Sequence, residues 1–159
     1  HTQRRRQRQM CIRDSIPIAV DPKKDNFWAY QGVDLFKPNL KELNDACGTQ
    51  IAADNITDIE KETKNLQEKL KAKNILLTLS ENGIFHYAEE SFYQAAFERN
   101  IVDVSGAGDS VIAAAALAIS TEVTAQELCT ISNLAGGLVC EKAGVVPVQK
   151  ENLLAALTH

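Results

Sequence analysis

The chain has 159 residues, 45% of them hydrophobic, enough to bury one core of ordinary globular composition. Net charge is −4, yet Arg4, Arg5, Arg6, Arg8 and Arg13 against Asp14 put +4 into residues 1–15, which leaves −8 for residues 16–159. The acidic body argues against nucleic acid as the main partner, and with no uninterrupted apolar span and no visible signal peptide, a cytoplasmic protein without a membrane partner is expected.

Residues 1–15 stand apart in composition. As a functional arm they would contact nucleic acid or act as an address signal; read as an extraneous or disordered segment they stand outside the fold, and that reading is preferred, with residues 16–159 as the folded part. Residues 16–20 are an apolar run ending at Asp21-Pro22, the pattern of a buried strand with a loop at its C-terminal end. Ligands of open α/β sheets collect at such ends, so Asp21 and Lys23 are candidates to face a phosphorylated substrate; a turn with a solvated lysine edge accounts for them equally. Residues 33–36 form a second strand. Asn39 and Glu42 then have capping-box spacing ahead of a stripe of Leu40, Leu43, Ala46 and Cys47.

Thr57 and Glu60 repeat that spacing before a helix striped by Ile59, Leu66 and Leu70. Residues 74–80 read as a buried strand, Glu81-Asn82-Gly83 as a turn, and residues 84–87 as the returning strand, in which His86 is structural. Residues 92–97 look like a further strand. Thr124 and Glu127 form another capping box, opening a helix to about Lys142 whose apolar side includes Leu128, Leu134 and Val139. Asn133 interrupts that side, and Gly136-Gly137 would let a neighbour approach closely. Residues 150–157 close the chain as a short amphipathic helix. Of the four cysteines, none stands in a Cys-x-x-Cys pair or beside histidines, which suggests neither zinc nor disulfides. Cys47, Cys129 and Cys140 read as small buried hydrophobes.

The chemistry concentrates in residues 101–110. A β-branched segment ends at Val104, Gly106 and Gly108 open the backbone, and Asp109 starts an alanine-rich helix: strand, glycine turn, helix. Unpaired N–H groups and the helix dipole make such a turn attractive to anions. A carboxylate inside an anion site suits proton transfer next to a phosphate, so Asp109 is a candidate general base; an acid favoured by the dipole alone accounts for it equally. No Gly-Lys-Ser/Thr follows, so this is not a Walker loop, and the third glycine of Gly-x-Gly-x-x-Gly is absent.

Asp103-Val-Ser-Gly106-Ala107-Gly108-Asp109 resembles the Asp-Thr-x-Gly-Ala-Gly-Asp signature of ribokinase-like (PfkB) carbohydrate kinases, with Val104 in place of threonine. Asn39 and Glu42 match that family's Asn-x-x-Glu motif. Thr78, Ser80 and Gly83 match its nucleotide-side Thr-Leu-Gly-x-x-Gly stretch, with serine for the first glycine. Together with Ile18-Ala-Val-Asp-Pro-Lys-Lys24 and Lys37-Pro-Asn-Leu-Lys-Glu42, the stretch is most similar to the heptose 7-phosphate kinase domain of bifunctional ADP-heptose synthesis proteins.

The resemblance implies a three-layer ribokinase-like α/β fold, a mostly parallel sheet with helices on both faces, seen here in its C-terminal, nucleotide-binding part. It implies ATP and Mg2+ as cofactors and a small-molecule sugar phosphate as substrate. Asp109 would be the catalytic base, and the N–H groups of Gly106, Ala107 and Gly108 the anion hole. Asn39 and Glu42 would hold magnesium through water. Asn133, Gly136 and the loop 144–147 would lie near the adenine, and Asp21, Lys23 and Asp103 near substrate or phosphate. An adenylyltransferase half would follow His159. Other sugar kinases, fructose or ribose directed, and a non-catalytic nucleotide-binding fragment share these motifs. A sheet cut at its N-terminal side exposes an edge that favours association, a homodimer among the outcomes.

Overall fold

The computed structural model describes residues 16–121 and 123–158. The arginine-rich arm, read above as extraneous, lies outside the described residues. Five strands, β1 (Ala19–Val20), β2 (Leu35–Phe36), β3 (Asn74–Thr78), β4 (Ile84–Tyr87) and β5 (Ser91–Gln94), form one sheet in sequence order. The first three run parallel, and the β3–β4 and β4–β5 pairs are antiparallel. The expected mostly parallel sheet is therefore mixed over the described strands. The turns after β3 and β4 are too short to carry a crossover, so the chain must return antiparallel.

Helices α1 (Leu40–Cys47) and α2 (Ile56–Leu70) fill the β2–β3 connection, while α3 (Ala107–Ile119), α4 (Ala125–Cys140) and α5 (Lys150–Leu157) follow β5. Side chains alternate along each strand and so divide between two faces. Phe36, Ile75, Leu77 and Phe85 pack with Leu43 of α1 and with Ile59, Leu66 and Leu70 of α2. Leu35, Leu76 and Ile84 pack on the opposite face with Val111 and Ala115 of α3 and Leu128 and Cys129 of α4. Helices cover both faces, the three-layer arrangement expected. No helix among the described residues is long and apolar enough to cross a membrane.

Local capping fixes where the helices start. The Glu42 N–H donates to Asn39 Oδ1 and the Asn39 N–H to Glu42 Oε2, each at 2.8 Å, so α1 begins on a complete capping box. Thr124 and Glu127 do the same for α4. The box expected at Thr57 and Glu60 does not form: Asn55 caps α2 by accepting from the Asp58 N–H at 3.2 Å. The earlier start brings Ile56 against the core.

Three further expectations are corrected. Residues 101–104 are not a strand: the N–H groups of Val102 and Asp103 donate to Cys140 O at 2.8 and 3.1 Å, satisfying a carbonyl at the end of α4. The strand expected over residues 92–97 stops at Gln94, where the chain leaves the sheet to cross α4. Cys129 and Cys140 are buried, but Cys47, at the end of α1, is only half-buried.

Candidate active site

Parallel register brings the first charged residues together. Val20 pairs with Phe36, so the next residues along, Asp21 and Lys37, stand side by side at the C-terminal ends of β1 and β2. The Lys37 N–H donates to Val20 O at 2.8 Å and the Thr78 N–H to Pro38 O at 3.1 Å, which carries the chain past β3 to an isolated bridge between Asn39 and Thr78. Asp21, Lys37, Asn39 and Thr78 thus reach the edge where open α/β sheets place ligands.

The glycine turn meets them there. Gly106 caps α3 with φ of 79°, a left-handed conformation, and a Cβ on it would lie 3.1 Å from Val145 Cγ1, so both backbone and space favour glycine. Ser110 is the first residue to bond within the helix, its N–H donating to Gly106 O at 2.9 Å. The N–H groups of Gly108 and Asp109 therefore have no helical carbonyl to bond. The Ala107 N–H, expected in the anion hole, donates to Val104 O at 3.2 Å.

These groups line one cavity of about 810 Å3, within the size range of small-molecule sites. Asp21, Lys23, Asn39 and Glu42 lie on its wall, as do Thr78, Ser80 and Gly83 from the β3–β4 turn. Gly106 to Asp109 form another part, and Asn133 and Gly136 of α4 a third. Ser80 stands where the resemblance has glycine, and its φ of 54° is the left-handed value that a glycine adopts without cost. Gly83 admits no side chain, since a Cβ would overlap the carbonyl oxygen of Gln94. Asn133 donates through Nδ2 to Ala95 O at 2.8 Å, and Gly136 lets Val111 of α3 pack closely, a Cβ there lying 2.8 Å from Val111 Cγ2.

Asp103 is not on the cavity wall. Its Oδ1 accepts from the Ser105 N–H at 2.9 Å and its Oδ2 from the Gly144 N–H at 2.8 Å, tying the glycine turn to the loop after α4. The bonds from Ser105, and then that from Gly144, hold its carboxyl below the ordinary carboxylate value. Cys140 does reach the wall, and burial, then the Asp103 charge, push its thiol pKa up.

Lys37 and Arg99 are among the cavity residues that sequence reasoning missed. Lys37 is 3% exposed and ion-paired to Asp21, Nζ to Oδ1 at 3.1 Å, and a Cβ on Gly108 would lie 3.7 Å from its Nζ. The signal that could have found it is the register, since it occupies the β2 position level with Asp21. Arg99 is held by Glu141, Nη1 to Oε1 at 2.9 Å, and lies so close to Gly137 that a Cβ there would be 2.8 Å from its Cδ. Only the fold brings Arg99 and Gly137 together.

The donor set suits a polyphosphate. Helix-start N–H groups and a buried ammonium share its wall, which also includes Asn133. Among the described residues no group of three or more His, Cys, Asp or Glu could hold a metal ion. Asn39 and Glu42, on the wall, suit the looser role of a magnesium ion that keeps its waters and is carried by phosphate.

Residues 2–152 match the pfkB family carbohydrate kinase sequence profile, a stretch that begins within the arginine-rich arm. The chain belongs to that family. It is similar to the bifunctional protein HldE of Nitratiruptor sp., 36% identical over 89% of the chain, and to that of Koribacter versatilis, 34% identical over 94%. It spans about 30% of the length of these relatives: 30% of the first and 31% of the second. The fold matches phosphofructokinase-2 from Escherichia coli in complex with potassium at a TM-score of 0.74, with 20% identity over 82% of this chain and 42% of that one. It also matches Arabidopsis thaliana ribokinase complexed with ribose and ATP at 0.70, with 22% identity over 80% and 41%. The ribokinase-like fold of this family member thus stands on sequence and backbone alike.

Proposed function

We propose that this chain is the nucleotide-binding part of an ATP-dependent sugar kinase, phosphorylating the anomeric hydroxyl of D-glycero-D-manno-heptose 7-phosphate. The observation that carries the reading is the opening of the α3 turn, with Asp109 in its first helical turn, onto the cavity shared by Lys37, Asn39 and Glu42. The choice of heptose rests on the motifs that resemble the heptose 7-phosphate kinase domain of bifunctional ADP-heptose synthesis proteins, beside the similarity to the bifunctional HldE proteins.

Asp109 accepts the proton of the attacking hydroxyl, the sugar oxygen bonds to the γ-phosphorus, and the bond to ADP breaks. The N–H groups of Gly108 and Asp109 and the Lys37 ammonium meet the charge on the transferring oxygens. Asn39 and Glu42 would hold the water shell of a magnesium ion, which would supply charge that neutralises the phosphates. Thr78, Ser80, Gly83, Asn133 and Gly136 shape the nucleoside end.

The test is ADP release from MgATP across a panel of sugars and sugar phosphates that includes heptose 7-phosphate. Asp109→Asn is expected to keep nucleotide affinity and to lose about a hundredfold or more in turnover. Equal release by both proteins overturns the assignment of Asp109. Release with fructose or ribose in place of the heptose phosphate moves the substrate, and MgATP binding without release on any acceptor supports a non-catalytic nucleotide-binding role.

A further inference from the structure

An acidic side chain on the wall of a cavity built for polyphosphate needs an explanation, because its charge repels the ligand. Asp21 is such a residue, and its two oxygens face two lysines. Oδ1 lies 3.1 Å from Lys37 Nζ, whose side chain is 4% exposed, and Oδ2 lies 3.5 Å from Lys23 Nζ, whose side chain is 76% exposed. The Lys23 contact is a solvent-exposed pair of little consequence. The Lys37 contact differs in kind, since an ammonium taken out of water requires a counter-charge.

Geometry gives the pair a direction. Side-chain alternation sends Leu35 of β2 toward α3, Phe36 away from it and Lys37 toward it again. Asp21 follows the same alternation on β1, so both side chains point to the face where α3 begins. Lys37 Nζ then stands beside Gly108, within 3.7 Å of where a Cβ would be, at the free N–H groups of the helix start. Lys37 Nζ and the start of α3 therefore border the same stretch of the cavity wall, where a phosphoryl group would meet both.

We infer that Asp21 is a positioning residue: it binds no ligand itself and acts by holding the Lys37 ammonium aimed at the terminal phosphoryl group of ATP beside Gly108. This rests on the kinase reading above and deepens it. The inference makes a prediction of sign, since removing a carboxylate from a polyanion site ordinarily tightens binding, whereas removing the tether of the essential cation weakens it.

The experiment is calorimetric titration of the intact protein with ATP and with ADP, no acceptor sugar present, for the wild type, Asp21→Asn, Asp21→Glu, Lys37→Met and the Asp21→Asn/Lys37→Met double variant. Lys37→Met is expected to lose about tenfold in ATP affinity, the worth of one charge-assisted contact, with ADP affinity held. Asp21→Asn should show the same selective loss, and Asp21→Glu should restore most of it. In the Lys37→Met background, Asp21→Asn should weaken ATP no further. Tighter ATP binding by Asp21→Asn, or an additional loss in the double variant, overturns the inference. Should Asp21→Asn fail to fold with a lone buried ammonium, the double variant buries none and decides the matter by its comparison with Lys37→Met. A wild type that binds neither nucleotide overturns the kinase reading instead, which separates the two failures.

Discussion

The two faces of the sheet are packed by different means. Against α1 and α2 the core is made of large side chains, Phe36, Phe85, Leu43, Leu66 and Leu70, each fully or nearly fully buried. Against α3 and α4 the large side chains Leu35, Leu76, Ile84 and Leu128 are joined by small ones, with Ala115, Ala118 and Cys129 buried and Gly136 admitting Val111. Large residues hold helices at a distance and bury much apolar surface, which gives stability. Small residues let backbones approach, and on this face the backbone itself is the functional group: the N–H groups at the start of α3 must reach the ends of β1 and β2. One face holds the fold, and the other trades buried area for proximity.

The comparison can be broken most sharply on the first face. Leu66→Ala, far from the cavity, should cost about 2–5 kcal/mol of unfolding free energy in a denaturant melt, while nucleotide affinity per folded molecule stays unchanged. A loss of affinity in the folded protein would show that the faces are not separable.

A pH titration of stability addresses the second face away from the cavity. His86 is buried there, with Nε2 2.9 Å from Asn74 Oδ1, and burial pushes its pKa down to about 4. The unfolded imidazole titrates near 6.5, so between these values the unfolded chain binds the extra proton and stability falls as pH falls, by about 3 kcal/mol across the window; above it His86 contributes no slope. Chemical denaturation from pH 4 to 8, with His86→Gln as the flat control, measures this.

Gly136→Ala tests the close approach itself. The added Cβ meets Val111 Cγ2 at 2.8 Å, so Val111 must shift and is expected to push α3 with it, at a cost of about 1–3 kcal/mol and with weaker ATP binding as the turn at Gly106 shifts. Val111→Ala in the same chain should recover most of both. The smallest effect expected is at Ser80, whose φ of 54° costs about 1 kcal/mol: Ser80→Gly should raise the melting temperature by a few degrees, or leave it level if chain entropy cancels the gain.

Much of this was legible in the chain. The capping boxes at Asn39 and Thr124 announce α1 and α4 because their chemistry is local, two residues three apart bonding each other's backbone. The Gly106–Asp109 turn is legible for the same reason. Thr57 misled because two capping residues lay within reach and the burial of Ile56, a tertiary matter, chose Asn55. Residues 101–104 misled because β-branched composition records extended backbone but not the presence of a partner strand, and their N–H groups found the end of α4 instead. Asp103 was read as a phosphate neighbour from its place in the motif, whereas its carboxylate is spent on Ser105 and Gly144.

By itself, then, the sequence determined most of the elements, the starts of α1 and α4 and the residue types at the glycine turn, since those follow from interactions a few positions apart. Only the tertiary structure decided which residues share the cavity. Lys37 became part of the site when the β1–β2 register set it beside Asp21, and Arg99 when Gly137 let it lie against α4. Register and helix approach are set by the burial of whole faces, a sum over distant residues that no local pattern records.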